Sequence, residues 1–194
     1  MAKANAGGGL GGHLFELYAH SYIQRESNGP LMYRRLLYKN QTIDPTTNYG
    51  ISWMCGFEKQ YRFTKETLVQ RLTNNGKDDA YFRPEDSEFP SIDAFVIKGK
   101  YVIFLQMKNS TTTILSNKGF DLVKNAMISA GFNCSAFVIA FVVPQTSPIE
   151  SHVGIQTSAS GWEDGTPAWN DMQQYRITIN VSDWKIQPFE SIYP

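Results

Sequence analysis

The chain has 194 residues, of which 42% are hydrophobic, 13% aromatic and 19% charged; this composition excludes intrinsic disorder for the bulk of the chain and fits one folded domain. Eighteen Lys and Arg balance eighteen Asp and Glu, which excludes binding to nucleic acid through bulk positive charge but not through a local basic groove. No apolar run approaches the roughly 20 residues of a membrane helix, so we expect no membrane partner.

The first third of the chain predicts one helix, two strands and a second, short helix. Residues 1–12 are rich in glycine and predict a flexible leader, because no strand precedes their formal G-x-G-x-x-G match. Apolar residues recur at helical spacing over 13–25, whereas 31–38 and 50–63 are rich in β-forming residues and predict strands. Thr64 then predicts the cap of the short helix.

The second half of the chain carries stronger signals. Residues 91–97 and 101–108 are dense in β-formers and are joined by a Lys-Gly-Lys turn, which predicts a hairpin. Ser116 begins a helical pattern that Gly131 ends, and the continuous apolar run 136–143 predicts a strand buried on both faces.

A last alternating strand, 175–181, completes the predicted elements. Helices on both faces of a mixed sheet follow from a hairpin, a crossover helix and a buried strand in that order. We therefore predict an α/β fold, with residues 13–194 as a single domain that ends in a loop and strand extension.

The hairpin brings three polar residues together at its open end. A two-residue loop at Gly99 pairs residues whose numbers sum to 199, so that Asp93 faces Gln106 and Lys108 lies two positions further on the same face. The same alternation predicts Ile92 on the opposite face, with Ala94 and Val96.

These side chains have the chemistry of a cation site. Carboxylate and amide oxygens of Asp93 and Gln106 suit Mg²⁺ or Mn²⁺, and a lysine beside them, with its pKa lowered by burial, could activate water. The alternative is a structural network in which Asp93 and Lys108 form a buried ion pair. Glu16 offers a second carboxylate between His13 and His20 on one helix face, its alternative being an ordinary solvent-facing residue.

Several segments resemble a known nuclease family. The run Phe-Pro-Ser-Ile-Asp at 89–93, followed by Gln-Met-Lys at 106–108, resembles the core motif of the PD-(D/E)xK, or restriction-endonuclease-like, superfamily. Gly-His-Leu-Phe-Glu at 12–16, Tyr-Phe-Arg-Pro at 81–84 and Phe-Val-Val-Pro at 141–144 are similar to the C-terminal nuclease domain of Crinkler effectors and retrotransposon hot spot proteins.

The resemblance implies a restriction-endonuclease-like αβββαβ core and Mg²⁺-dependent (or Mn²⁺-dependent) cleavage of DNA in a nucleus, including that of a host cell. Carried onto this chain, it makes Glu16, Asp93 and Gln106 metal-site residues and Lys108 the catalytic lysine. Gln106 stands where the family more often has Glu, which weakens the metal site. RNA as substrate and a homodimer as assembly are left open.

Basic side chains near the hairpin and in the first strand are candidates for contacts with the nucleic-acid backbone. They are Arg34, Arg35, Lys98, Lys100 and Lys118. The alternative functions are a degenerate nuclease fold that binds nucleic acid or a protein partner without cutting, and an interaction module presenting Trp162, Trp169 and Trp184.

Overall fold

The computed structural model describes residues 8–24, 31–35, 49–51, 57–75, 79–86, 89–99, 101–108, 115–132, 136–145 and 172–181. These residues form helices α1 (Gly8–Gln24), α2 (Leu68–Asn75) and α3 (Asn117–Ser129). The strands are β1 (Leu31–Arg35), β2 (Tyr49–Ile51), β3 (Gln60–Phe63), β4 (Ala80–Pro84), β5 (Ala94–Lys98), β6 (Tyr101–Met107), β7 (Ala136–Pro144) and β8 (Gln173–Ile179).

All the strands belong to one mixed sheet, in the order β2-β1-β8-β7-β6-β5-β4-β3. The strands β6, β7 and β8 are parallel neighbours, whereas β5 runs antiparallel to both β4 and β6. The parallel neighbours β6 and β7 are joined through α3, as the crossover helix of the sequence predicts. The predicted mixed α/β architecture is confirmed at this level.

Helices cover both faces of the sheet, and each face has its own apolar cluster. On one face, Phe15, Ala19 and Ile23 of α1 pack on the inward side chains of the central strands. On the other face, residues of α2 and α3, including Leu72 and Phe120, pack on the alternate side chains of the same strands. The central strands read as continuous apolar runs because both of their faces are buried.

The hairpin register is confirmed. Lys98 pairs with Tyr101 and Phe95 pairs with Phe104, so the paired residue numbers sum to 199 as predicted. Gly99 adopts φ +56° in the turn, a conformation that costs glycine least. Because the register is set within the loop, no distant contact was needed to predict it.

The two predicted helix caps are also found. The Thr64 hydroxyl accepts from the Thr67 amide at 3.3 Å and the Thr67 hydroxyl from the Thr64 amide at 2.8 Å, just before α2. The Ser116 hydroxyl accepts from the Lys118 amide at the start of α3, and Gly131 follows the end of α3 with φ +77°.

Two boundary predictions differ from the structure. The run 50–63 is not one strand: it supplies β2 at one edge of the sheet and β3 at the opposite edge. Strand propensity does not tell which neighbour a segment pairs with, and that choice separates the two pieces. Helix α1 begins at Gly8 rather than His13, since glycine in a helix costs only about 1 kcal/mol per residue and can extend an anchored helix.

No helix among the described segments is long and apolar enough to cross a membrane.

Candidate active site

Asp93 lies directly before β5, and its side chain continues the hydrogen bonding of the sheet. Its backbone N–H donates to the Leu105 carbonyl at 3.0 Å, and its Oδ2 accepts from the Met107 N–H at 2.6 Å. The carboxylate is therefore held against the backbone of β6 between Gln106 and Lys108. This is the end of the hairpin at which the sequence predicted the site.

The segment before Asp93 breaks the expected alternation of faces. Ser91 adopts φ +56°, and Ile92 packs in the same cluster as Phe95, on the α2 and α3 face. The prediction that Ile92 shares a face with Ala94 and Val96 is wrong, because strand geometry begins only at Ala94. A left-handed residue two positions before Asp93 reorients the chain as it enters the strand.

Burial raises the pKa of the Asp93 carboxyl to about 7. The hydrogen bond from Met107 opposes this rise, the negative charge of Glu16 adds to it, and the positive charge of Arg83 opposes it. Among the described residues, Arg83 is thus the one positive charge that favours the ionised carboxylate, and burial outweighs it. A cation bound there would add positive charge.

Lys108 is the most unusual charged residue described. It is 3% exposed, and its Nζ has no hydrogen-bond partner among the described residues. The ammonium lies 5.2 Å from the centre of the Phe141 ring, a cation–π contact. Burial lowers its pKa to about 8.

The alternative reading, a buried Asp93–Lys108 ion pair, is not found in the described part of the chain. Asp93 instead accepts from the Met107 backbone, and burial alone accounts for the lowered pKa of Lys108. A buried lysine without a partner costs free energy, so it is unlike a group retained for stability.

Gln106 is on β6, two positions before Lys108, which directly follows that strand. In the sheet, Gln106 pairs with Phe141 of β7. Strand alternation places Gln106 and Lys108 on the α2 and α3 face, as it does Val102 and Phe104. The buried Gln106 Oε1 also lacks a hydrogen-bond partner within the described segments. A donor or a cation from outside these segments would satisfy it.

Glu16 is on α1, on the opposite face of the sheet. Its carboxylate contacts His13 at 3.9 Å, His20 at 3.4 Å and Arg83 at 3.4 Å, which confirms the predicted shared face of the two histidines. The hydrogen bond with His20 lowers the pKa of Glu16. The Glu16 side chain is 32% exposed and has three partners, so it is not the ordinary solvent-facing residue that was the alternative. Because α1 covers the other face of the sheet, Glu16 is not a neighbour of Lys108 either.

His20 connects this group of residues to the core. Its Nδ1 lies 2.5 Å from the hydroxyl of Tyr81, which is fully buried and whose pKa burial raises. Burial also lowers the pKa of His20, so the neutral ring donates from Nε2 to Glu16 and accepts at Nδ1 from Tyr81. The structure thus assembles the predicted residues as two groups on opposite faces, with Asp93 within electrostatic reach of Glu16.

The basic candidates for nucleic-acid contacts are dispersed. Lys98 pairs with Asp79 at the closed end of the hairpin, about 17 Å along the strand from Asp93. Lys118 is exposed near the open end. Arg34 and Arg35 lie in β1, where the structure describes the backbone alone, and Lys100 lies outside the described residues, as do Trp162, Trp169 and Trp184.

The described residues contain no group of three or more His, Cys, Asp or Glu side chains placed to hold a metal ion. The available oxygen donors are the Asp93 carboxylate and the unpartnered amide oxygen of Gln106. Mg²⁺ is commonly held by one or two protein oxygens and keeps several waters, so this pair fits a weak site for a hard cation.

Three further side chains lie near these groups, and the sequence did not predict their contacts or their burial. Arg83 partners Glu16, Tyr81 partners His20, and Asn117 is 5% exposed with both side-chain polar atoms unpartnered in the described chain. Strand alternation places Tyr81 and Arg83 on the same face of β4, but no pattern in the sequence indicated which helix covers that face.

Comparison with known proteins found no matching family model, no matching curated protein and no matching solved structure. The function of the site is therefore inferred from its chemistry.

Proposed function

We propose that this chain is a metal-dependent endonuclease that cleaves DNA phosphodiester bonds. One observation carries the proposal: Lys108 is buried with no hydrogen-bond partner for its Nζ among the described residues, and it is next in the chain to Met107, whose backbone amide holds the carboxylate of Asp93. Buried ionisable groups with strongly shifted pKa values cluster at catalytic sites, because burial and charge tune them for proton transfer.

The order of elements supports a restriction-endonuclease-like core. In chain order, α1 is followed by β1 to β3 and α2, and then by the antiparallel neighbours β4, β5 and β6, helix α3 and strand β7. Apart from the elements inserted after α1, this is the order helix, three strands, helix, strand. Strand β7 lies parallel to β6 and next to it. Asp93 directly precedes β5, the second of those three strands, and Gln106 and Lys108 lie at the adjacent end of the third, as the resemblance to the PD-(D/E)xK superfamily implies.

Asp93 and Gln106 are the residues that would hold Mg²⁺ or Mn²⁺. When bound, such an ion polarises a phosphate oxygen and stabilises the charge that develops at phosphorus. Asp93 binds the ion only when ionised, and its pKa of about 7 means that protons compete with the cation near neutral pH.

Lys108 would act on the attacking water. With a pKa of about 8, roughly one molecule in ten carries the neutral amine at pH 7, and that amine can accept a proton from water as the oxygen bonds to phosphorus. The leaving sugar oxygen departs with the electrons of the broken P–O bond and takes a proton from solvent. The ammonium formed at Lys108 then lies beside the negative phosphate.

A second candidate is a protein of this fold that binds nucleic acid or a protein partner without cutting. It is favoured by Gln106, a neutral residue at a ligand position, and by the lack of a three-member acidic or histidine group in the described residues. Action in a nucleus and dimer formation stay predictions of the resemblance.

The test is a cleavage assay on supercoiled plasmid with Mg²⁺ or Mn²⁺, with EDTA as the metal-free arm and an RNA of matched length as a second substrate. Asp93→Asn and Lys108→Met remove the proposed groups. Lys65→Met and Asp79→Asn are the matched controls, because they change the same residue types at exposed positions outside the hairpin.

We expect metal-dependent cleavage that Asp93→Asn and Lys108→Met each lower by 100-fold or more, as loss of a general base typically does by about 10²–10⁴-fold. The two control variants should keep wild-type rates. Cleavage that survives Lys108→Met would overturn the mechanism, and DNA that is bound but never cut would select the second candidate.

A further inference from the structure

The start of α3 places another buried polar side chain near the site. Asn117 is the first residue of α3 and is 5% exposed. Neither its Oδ1 nor its Nδ2 has a hydrogen-bond partner among the described residues. Leaving an amide unpaired in the interior costs free energy for each polar atom, so a group retained there calls for a ligand.

Helix α3 runs back along β6, and one ring contact aligns the two. Phe120 packs on Phe104 with ring centroids 4.9 Å apart. Asn117 is three residues before Phe120, on the same helix face and about 4.5 Å nearer the helix start. Gln106 is two residues after Phe104, about 6.6 Å along β6 in that same direction. Asn117 and Gln106 therefore both lie on the side of the Phe104–Phe120 contact that is nearer the start of α3 and the end of β6.

Two contacts hold the start of α3 against the segment that leads to Asp93. The Ser116 amide donates to the Ser91 hydroxyl at 2.5 Å. A Cβ placed on Gly119 would lie 1.8 Å from the Pro90 carbonyl oxygen, so the two backbones are in direct contact there. The position of Asn117 is thus tied to the strand that carries the site.

We propose that Asn117 is a further substrate-binding residue, which holds the phosphodiester together with Lys108. The unpartnered donors, Asn117 Nδ2 and Lys108 Nζ, match the oxygens of a phosphate. The unpartnered acceptors, Asn117 Oδ1 and Gln106 Oε1, match a hydrated divalent cation that accompanies that phosphate. This inference rests on the proposed function and names the residue that completes its ligand set.

The test combines binding, structure and activity. Asn117→Leu keeps the shape and removes both polar atoms, and Asn125→Leu, at an exposed position on the same helix, is the control. Each variant is titrated with a fluorescently labelled duplex in Ca²⁺, used as a cation that does not support cleavage, and melted without ligand. The side-chain amide signal of Asn117 in the wild-type protein is followed by NMR during the titration.

We expect Asn117→Leu to weaken duplex binding about tenfold without lowering the melting temperature, and the Asn117 amide signal to shift as duplex is added. An unchanged affinity or an unmoved amide signal overturns the inference. If the wild-type protein does not cut DNA but Asn117→Leu still weakens binding and the amide shifts, the endonuclease proposal fails and the role of Asn117 stands. If Asn117→Leu cleaves DNA at the normal rate and binds the duplex with unchanged affinity, the endonuclease proposal stands and the role of Asn117 fails.

Discussion

Buried Lys108 and half-buried Asp93, at one end of a hairpin, weaken the fold in which they lie. Lys108 has no partner for its ammonium in the described chain, and burial raises the pKa of Asp93 although a backbone amide donates to it. Folding raises the pKa of Asp93 and lowers the pKa of Lys108, so it favours the uncharged form of each group. The charged form of each side chain therefore lowers the stability of the fold. Groups that cost stability and are nevertheless present are typical of functional sites.

Replacing Lys108 with Met should make the protein more stable while removing its activity. The unfolded chain binds the lysine proton more tightly than the fold does, so the cost of Lys108 is fully present below pH 8 and fades as pH rises toward 10.5. We expect a gain of roughly 1–3 kcal/mol at pH 7, measured by urea denaturation. Lys65→Met, at an exposed position, is the control; a large loss of stability in Lys108→Met would show a structural role.

The cleavage rate should rise with pH. Ionised Asp93 and neutral Lys108 are both required, and their pKa values are about 7 and about 8. We expect kcat/KM at fixed Mg²⁺ to increase by a few hundredfold, on the order of 10²–10³, between pH 6 and pH 8, since the ionised fraction of Asp93 and the neutral fraction of Lys108 both rise over this interval and their product sets the active fraction. A rate that is flat or falls over this interval would contradict both roles.

The Asp93 carboxyl makes the folded protein less stable as pH rises, whereas a salt-bridged acid makes it more stable. Because the pKa of Asp93 is higher in the fold than its ordinary 3.8, stability from this group is present below pH 4 and is lost as pH rises through 7. Asp93→Asn keeps an oxygen for the Met107 amide and removes the charge, so its stability should exceed that of the wild type above pH 7.

At the scale of elements, the position of α3 decides which residues meet at the site. The helix begins beside Pro90, and Gly119 allows this contact because any Cβ there would overlap the Pro90 carbonyl oxygen. The same contact orders the segment from Phe89 to Ile92, which turns through the left-handed Ser91 before β5 begins. One close approach between helix and loop thus sets the location of both Asp93 and Asn117.

Gly119→Ala should test this contact. The added methyl must displace backbone, so we expect a loss of about 2–3 kcal/mol and a fall in any cleavage activity. Gly12→Ala in α1 is the matched control: nothing lies within 4 Å of its added Cβ, and alanine favours helix by about 0.8–1 kcal/mol. Similar effects of the two substitutions, measured by thermal and urea denaturation, would contradict the close approach of α3 to Pro90.

At the scale of the whole molecule, the sheet separates two polar groups that the sequence placed in one site. Glu16, His20, Tyr81 and Arg83 lie on the α1 face, and Gln106 and Lys108 lie on the face covered by α2 and α3. Asp93, at the open end of the hairpin, interacts electrostatically with Glu16 and Arg83 of the first group, and its carboxylate accepts from the Met107 amide between Gln106 and Lys108. The first group fastens α1 to the sheet, and the second carries the proposed chemistry.

Tyr81→Phe should loosen the α1 layer without touching the proposed catalytic groups. Removing the hydroxyl leaves His20 Nδ1 buried and unpaired, at a cost of about 1–3 kcal/mol. Tyr61→Phe, on edge strand β3, is the control and should change stability by less than about 0.5 kcal/mol. Urea denaturation at pH 7.5 compares the two; equal stabilities would show that the His20–Tyr81 contact contributes nothing.

Local patterns in the sequence were sufficient for much of this fold. The register of the hairpin follows from the Gly99 turn, the start of α3 follows from Ser116, and β7 follows from an apolar run with a proline at its end. Each depends on residues within one turn or one strand, where backbone conformation and side-chain period act directly. The sequence by itself therefore determined the order of the central elements and brought Asp93, Gln106 and Lys108 to one end of the hairpin.

Only the tertiary structure decided the rest, because pairing and packing partners are distant in the chain. It split the run 50–63 between opposite edges of the sheet, moved Ile92 to the other face and put Lys98 in an ion pair with Asp79. It also separated Glu16 from Lys108 by the thickness of the sheet and left the ammonium of Lys108 without a partner in the described chain. Burial and charge at a site are sums over all neighbours, and a linear pattern does not contain those neighbours.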